Sequence, residues 1–334
     1  MTTRTRYFVV GSLLTLAVGL GVGLVAYSVG FSTSALGRPG GPAELQFVPA
    51  NASLVAYADV REIMTSDLRQ KARSVFPVKE DGQHEFQSQT GINIETDIDH
   101  VIAAVVPSAE QTGQMPGAMI VLARGQFDQV KIEALMREHG AQVEDYKGSR
   151  LVVGGDTTEG HHPVSLAFLE PGLVAVGTTA LIRGAVDLKS GGSSIATNDE
   201  MMGLIRDLDS GNAWAAGRFD ALTSQAKLPS GVAQQLPSIS LFSASASIDS
   251  SVRGTIRAES RTEDAANSLR DVVRGFLALG RLQASARPEL LTLMQSLQLA
   301  GTGKTVSLSF ELPATALDGL ARLVPGRAGA AAPR

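Results

Sequence analysis

The sequence contains no cysteine and few aromatic residues. Its 334 residues include one Trp, four Tyr and 11 Phe, so aromatic side chains make up 5% of the chain. The absence of cysteine excludes a disulfide framework, a thiolate metal site and a cysteine nucleophile. A lipoprotein anchor is excluded for the same reason, because its lipid is attached to a cysteine.

Basic residues are also scarce. The chain has 29 Lys and Arg against 33 Asp and Glu, a formal net charge of −4. A nucleic-acid-binding protein needs a basic surface, so nucleic acid is not an expected partner. Without Arg4 and Arg6 the rest of the chain has 27 basic against 33 acidic residues. This balance disfavours electrostatic docking of the folded part onto anionic lipid heads.

One apolar segment, residues 7–30, contains no charged residue over 24 positions. As a helix it is about 36 Å long, which is enough to cross a hydrocarbon core of about 30 Å. Its length, and the absence of an A-x-A site after it, favour an uncleaved transmembrane helix over a cleavable signal peptide. Arg4 and Arg6 predict that residues 1–6 are cytoplasmic. We therefore expect a single-pass protein of the bacterial inner membrane whose main domain is extracytoplasmic (periplasmic).

Small residues recur every four positions in this segment, at Gly11, Thr15, Gly19 and Gly23. Such a stripe lets two helix backbones approach closely, so it predicts self-association or pairing with a partner helix. The alternative is that glycine is simply frequent in membrane helices. The lipid bilayer is the other partner that residues 7–30 imply.

The rest of the chain predicts an α+β fold between two irregular ends. Residues 31–44 form a Gly- and Pro-rich flexible linker, and residues 325–334 form a disordered tail. Between them, periods of 2 and 3.6 alternate, which predicts mixed, mainly antiparallel sheets with helices packed on one face. The order strand, helix, strand, strand, helix, strand occurs twice, over residues 45–195 and 196–324. This repeat predicts an internal duplication; the alternative is one continuous large sheet.

The two halves correspond at several elements. An apolar strand is predicted at residues 54–60 and a second at 213–219, each with an Asp close to its end. A helix is predicted over residues 127–139 in the first half. In the second half a long hairpin is predicted over residues 239–259, followed by a helix over 263–283.

Two fragments are similar to parts of catalytic motifs. Residues 301–305 (GTGKT) match the end of a P-loop, but Gln298 stands where its first Gly belongs. A P-loop also follows a strand and opens a helix, whereas here a helix is predicted before the fragment and a strand after it. We expect a turn that leads into the strand. Ser224 and Lys227 match S-x-x-K, but no S-D-N is present and Val306 replaces the Gly of K-T-G.

Two clusters contain residue types that bind metals or transfer protons. The members of the first are Asp156, Glu159, His161 and His162. Adjacent histidines on an extended chain point to opposite faces, so we expect a solvated loop here rather than a metal site. The members of the second are Glu95, Asp97, Asp99 and His100. Acid–base catalysis is one reading of this group, and an acidic turn before a strand is the other. No catalytic residue, metal or cofactor is assigned.

Four short segments carry a resemblance to a known group of proteins. They are residues 47–52 (FVPANA), 121–127 (VLARGQF), 145–148 (DYKG) and 303–310 (GKTVSLSF). They resemble uncharacterised bacterial single-pass membrane-anchored proteins with an exported α+β domain, acidobacteria-like and of unknown function, over most of residues 45–323. The resemblance implies an anchor and an exported α+β region, and supplies no activity or site residues.

The sequence therefore predicts a membrane-anchored extracytoplasmic protein that is not an enzyme. Its expected role is binding, assembly or structure in the cell envelope, with a protein partner or an apolar ligand. One alternative is an envelope hydrolase with an unrecognised catalytic constellation. Another is a lipid-handling protein in which a groove between sheet and helices holds an acyl chain.

The predicted topology can be tested with a tag at the C-terminus of the full chain. The tagged chain should stay in the membrane fraction after an alkaline carbonate wash, because residues 7–30 cross the hydrocarbon core. Protease added to spheroplasts should remove the tag. A chain that lacks residues 1–30 should be soluble and protected from protease. Release of the full chain by carbonate, or a protease-resistant tag, would contradict this topology.

Overall fold

The computed structural model describes residues 41–75, 87–88, 90–107, 118–138, 140–154, 164–208, 211–219, 238–284 and 294–314. The predicted transmembrane segment and its stripe of Gly11, Thr15, Gly19 and Gly23 lie outside these residues. Within the described ranges, no helix is long and apolar enough to cross a membrane.

Twelve strands within the described residues form one continuous sheet. They are β1 Leu54–Asp59, β2 Ile98–Val106, β3 Ala118–Gly125, β4 Gln142–Tyr146, β5 Ser149–Val153, β6 Val164–Glu170, β7 Leu173–Thr178, β8 Ala213–Arg218, β9 Ile239–Ile248, β10 Ser251–Ser260, β11 Gln298–Ala300 and β12 Thr305–Pro313. Their order is β11-β12-β10-β9-β8-β1-β2-β3-β7-β6-β5-β4, and every neighbouring pair is antiparallel. The α+β character is thus confirmed, and the sheet is the single large one that the sequence left open as an alternative.

The helices occupy the connections between strands. They are α1 Val60–Thr65, α2 Asp67–Val75, α3 Ile94–Asp97, α4 Gln129–Glu138, α5 Thr179–Leu188, α6 Asp199–Arg206 and α7 Glu263–Ala284, with 3₁₀ helices η1 Ala43–Phe47 and η2 Ile195–Thr197. Ala43 and Glu44, which the sequence assigns to the linker, are the first residues of η1, and Glu44 is buried.

The two halves repeat one connectivity around the central pair β1–β8. In the first half β1, β2 and β3 lie side by side, α4 follows, and β7 returns to pair with β3. In the second half β8, β9 and β10 lie side by side, α7 follows, and β12 returns to pair with β10. This correspondence matches the repeated element order in the sequence. Descent from a duplicated unit stays a prediction.

Helices cover both faces of the sheet, so the prediction that they pack on one face was wrong. One face carries Val55, Tyr57 and Leu122, which pack with η1, α5 and α6; we call it the η1 face. The other carries Ala58 and Val101, and α1, α4 and α7 pack on it; we call it the α7 face. The reason is that the central strands are buried on both sides, and such strands are almost continuously apolar.

The first five residues of β1, LVAYA, are all buried. Small side chains let β1 and β8 lie between two layers. Ala56 faces Ala215, and Leu54 faces Gly217, across the pair. A Cβ built on Gly217 would lie 2.6 Å from the carbonyl oxygen of Ser53 and 3.0 Å from the Cα of Leu54. Even a methyl group at Gly217 would therefore displace the backbone of the neighbouring strand.

Substitution of this glycine tests the central packing. Gly217→Ala should lower the free energy of unfolding by about 1–3 kcal/mol, because the added methyl overpacks the β1–β8 contact. Gly275→Ala is the matched control: nothing lies within 4 Å of a Cβ at this position in α7. It should raise the free energy of unfolding by up to about 1 kcal/mol, since alanine loses less backbone entropy in a helix. Chemical denaturation of the full chain in detergent measures both, and equal effects would contradict the packing.

Candidate functional site

The η1 face changes from apolar to polar at β8. Side chains that face one another across the strands form a row on this face. From β3 to β11 the row reads Leu122, Ile102, Tyr57, Trp214, Ser245, Thr255, Ser309 and Gln298. Its first half packs under η1, α5 and α6, whereas its second half consists of hydroxyl and amide side chains.

The neighbouring row over the second half is polar as well. Ser247 faces Arg253 on β10, and Arg253 faces Glu311 on β12. Beyond Glu311 the sheet edge continues to Ser296, whose Oγ accepts a hydrogen bond from the Glu311 N–H at 3.1 Å. The two rows together form the floor of an open groove with a volume of about 290 Å³.

The side chains of this groove hold unused hydrogen-bonding capacity. Within the part of the chain that the structure describes, six of them make no side-chain hydrogen bond or ion pair: Ser245, Arg253, Thr255, Gln298, Ser309 and Glu311. Arg253 and Glu311 stay apart although they face each other across β10 and β12. The groove can therefore donate and accept hydrogen bonds without breaking contacts that hold the fold.

A second polar cluster lies on the η1 face over the first half, and its groups are engaged with one another. Oε1 of the buried Glu44 accepts a hydrogen bond from Nε of Arg124 at 2.8 Å. Nε2 of His100 lies 3.3 Å from the same oxygen. Arg124 also donates to Glu170 at 3.1 Å. His100, chiefly, and Arg124 lower the pKa of Glu44 to about 2 against the opposing effect of burial.

This cluster fastens η1 to the sheet. The Glu44 side chain is 8% exposed and already contacts two partners, so it is poorly placed to reach a substrate. The Tyr57 ring beside it stacks on Trp214, with centroids 5.6 Å apart and planes inclined by 15°. Burial and the nearby carboxylates, Asp59 first, raise the pKa of Tyr57, which keeps the phenol neutral.

The acidic group predicted from the sequence does not converge on one site. Glu95 pairs with Arg73 at 3.3 Å, and Asp99 pairs with Arg61. Asp97 accepts the N–H of Asn93 at 2.8 Å, while His100 belongs to the Glu44 cluster. Each group has a structural contact of its own, as the acidic-turn reading expects.

The GTGKT fragment forms the turn between β11 and β12, as the sequence predicts. A strand precedes it, however, where a helix was expected. Nη2 of Arg270 in α7 donates to the carbonyl oxygens of Gly303 and Thr305 at 2.7 and 2.9 Å. These contacts attach α7 to the turn, and through the turn to the sheet.

The other sequence candidates, Ser224 with Lys227 and the cluster of Asp156 to His162, lie outside the described residues. Within the described ranges no group of three or more His, Asp or Glu side chains is placed to hold a metal ion. The groove was not predicted from the sequence, although the sequence contains a pattern that indicates a polar face. Serine occupies every second position in SASAS on β9 and in SLS on β12.

The role of Glu44 predicts a pH-dependent stability. The pKa of Glu44 in the folded chain is about 2, below its ordinary value of 4.5. Its carboxylate therefore stabilises the fold fully above about pH 4.5, and this effect is lost as the pH falls towards 2. Glu44→Gln should lower the free energy of unfolding by about 2–3 kcal/mol at pH 7 and by progressively less as the pH falls. The control Glu200→Gln breaks the half-exposed pair with Arg218 and should change stability by less than about 1 kcal/mol. Denaturation at pH 3 to 7 measures both; a pH-independent loss for Glu44→Gln would contradict this assignment.

Comparison with known proteins adds little. No family model and no curated protein matches the chain. One solved structure, "Structure of crystal form I of TP0453", is similar over 84% of this chain and 96% of its own, with 9% sequence identity and a TM-score of 0.41. A similarity at this level carries no argument about fold or function.

Proposed function

We propose that the protein is a single-pass membrane-anchored binding protein of the cell envelope, without a catalytic role. The groove on β9, β10, β11 and β12 is its ligand-binding surface. The observation that carries this proposal is the set of six groove side chains that make no side-chain hydrogen bond or ion pair within the described part of the chain.

The distribution of contacts supports a separation between scaffold and binding surface. Over β1 to β7 polar side chains of the η1 face form hydrogen bonds and ion pairs with one another, as in the Glu44–Arg124 contact. Over β9 to β12 the floor is polar, while the opposite α7 face holds apolar side chains such as Val252 and Leu312. The core of the second half thus lies on the α7 face, and the groove residues are not needed to build it.

The composition of the groove supports binding rather than catalysis. Nucleophilic catalysis by serine requires a base within hydrogen-bond reach of the hydroxyl. Among the described residues that line the groove the one carboxylate is Glu311, whose side chain accepts no hydrogen bond, and none is a histidine. No nucleophile and base are therefore brought together there.

The position of η1 supports a tether close to the sheet. η1 begins at Ala43 and is fixed to the sheet by Glu44. A stretch of ten residues, the length of 31–40, can span at most about 35 Å. A membrane helix at residues 7–30 would therefore hold the groove near the membrane surface, where envelope components are available.

Binding at the groove can be tested with soluble fragments of purified bacterial cell wall. Trp214 is the only tryptophan of the chain and occupies the row position beside Ser245, so its fluorescence reports on the groove. The full chain in detergent should bind the fragments, and the double variant Thr255→Val, Gln298→Ala should bind them about tenfold more weakly. Two lost hydrogen bonds at about 0.5–1.5 kcal/mol each give this factor.

A matched double variant provides the control. Thr305→Val, Gln142→Ala changes an exposed threonine outside the groove and an exposed glutamine on the far edge strand β4, and it should bind like the original chain. The fragments should be recovered chemically unchanged. Equal binding by both double variants would contradict the site, and turnover lost in the groove variant would contradict the non-catalytic role.

A further inference from the structure

We infer that the groove takes a neutral ligand rich in hydroxyl groups, of the class of short oligosaccharides. This inference rests on the proposed function and names the chemistry of its ligand. It depends on three properties of the groove: the kinds of polar group in its floor, the balance of its charges, and its shape.

The floor is made of groups that both donate and accept hydrogen bonds. Ser245, Thr255 and Ser309 carry hydroxyls and Gln298 carries an amide, in one row across four strands. A hydroxyl of a ligand also donates and accepts, so it can use both capacities of each group. An anion only accepts and an ammonium group only donates, so either would leave half of this capacity unused.

The charges of the groove cancel. Arg253 and Glu311 face each other on β10 and β12, one positive and one negative. A phosphate near Arg253 would meet the carboxylate of Glu311, and a cation near Glu311 would meet the guanidinium of Arg253. A neutral ligand avoids both repulsions and can receive hydrogen bonds from Arg253 and donate them to Glu311.

The shape and surface of the groove fit an extended polar ligand better than an acyl chain. Four neighbouring strands at about 4.8 Å spacing give a floor about 14 Å across. Ser245, Thr255 and Ser309 give the middle of the floor short side chains, and the groove is open. Phe310 contributes to its lining as well. A Cβ on Gly254, however, would lie 2.6 Å from the Phe310 ring, and Gly254 alternates with the groove residues Arg253 and Thr255 along β10. The ring therefore packs on the α7 face. An acyl chain is bound best by wholly apolar side chains, whereas every side chain of the two rows over β9 to β12 carries a polar group.

The inference is tested with defined ligands on the full chain in detergent. The probes are chitotriose and maltotriose as neutral trisaccharides, inorganic phosphate as an anion, and palmitate as an acyl chain. Calorimetry and Trp214 fluorescence should detect binding of at least one trisaccharide. Thr255→Val, Gln298→Ala should weaken it about tenfold, and Thr305→Val, Gln142→Ala should leave it unchanged. The affinity should change less than about twofold between 50 and 500 mM NaCl, because the ligand is neutral.

The outcomes separate the ligand class from the site itself. Groove-dependent binding of phosphate or palmitate in place of the trisaccharides would overturn the inference and leave the proposed binding function standing. If neither trisaccharide binds but the wall fragments still bind in a groove-dependent way, the inference is likewise overturned and the proposed binding function stands. Failure of every probe and of the wall fragments would overturn the inference and the proposed function together.

Discussion

The antiparallel pairing of β1 with β8 is the contact on which the rest of the structure depends. It joins the strands of the two halves into one sheet, and it holds both central strands between layers on the two faces. Small residues make this possible: Ala56 faces Ala215, and Gly217 approaches the backbone of Ser53. Because a strand buried on both sides needs cover on both sides, helices from distant parts of the chain must pack on opposite faces.

From this centre the two halves extend outwards with the same connectivity but different surfaces. Over β1 to β7 the η1 face is covered and mainly apolar, and its polar groups are paired with one another, as Glu44 is with Arg124. The same face over β9 to β12 carries serine, threonine, arginine and glutamate. Within the part of the chain that the structure describes, six groove side chains of this second half make no hydrogen bond or ion pair and can meet a ligand. Our proposal of a binding protein follows from this asymmetry.

Local elements were predictable from the sequence because they depend on local periodicity. The hairpin predicted over residues 239–259 is found as β9 and β10, and α7 agrees with its predicted bounds to within one residue. The three-residue β11 and the short α6, whose N-cap is Asn198, were missed because their signals are brief. The strand order and the groove were not predictable. They require the pairing of β10 with β12, in which Thr255 faces Ser309 and Arg253 faces Glu311, 54 and 58 positions away. The alternating serines indicate a polar face but not which strand lies beside it.

The absence of cysteine gives the most direct measurement of the central claim, that the groove is open and takes a ligand. A single cysteine placed as Thr255→Cys is the only thiol of the full chain, so maleimide labelling reports on that position without background. The account predicts labelling nearly as fast as for the exposed control Thr305→Cys, and slower labelling when cell-wall fragments are present. Labelling as slow as that of the buried Ile102→Cys, or a rate that the fragments do not change, would contradict it.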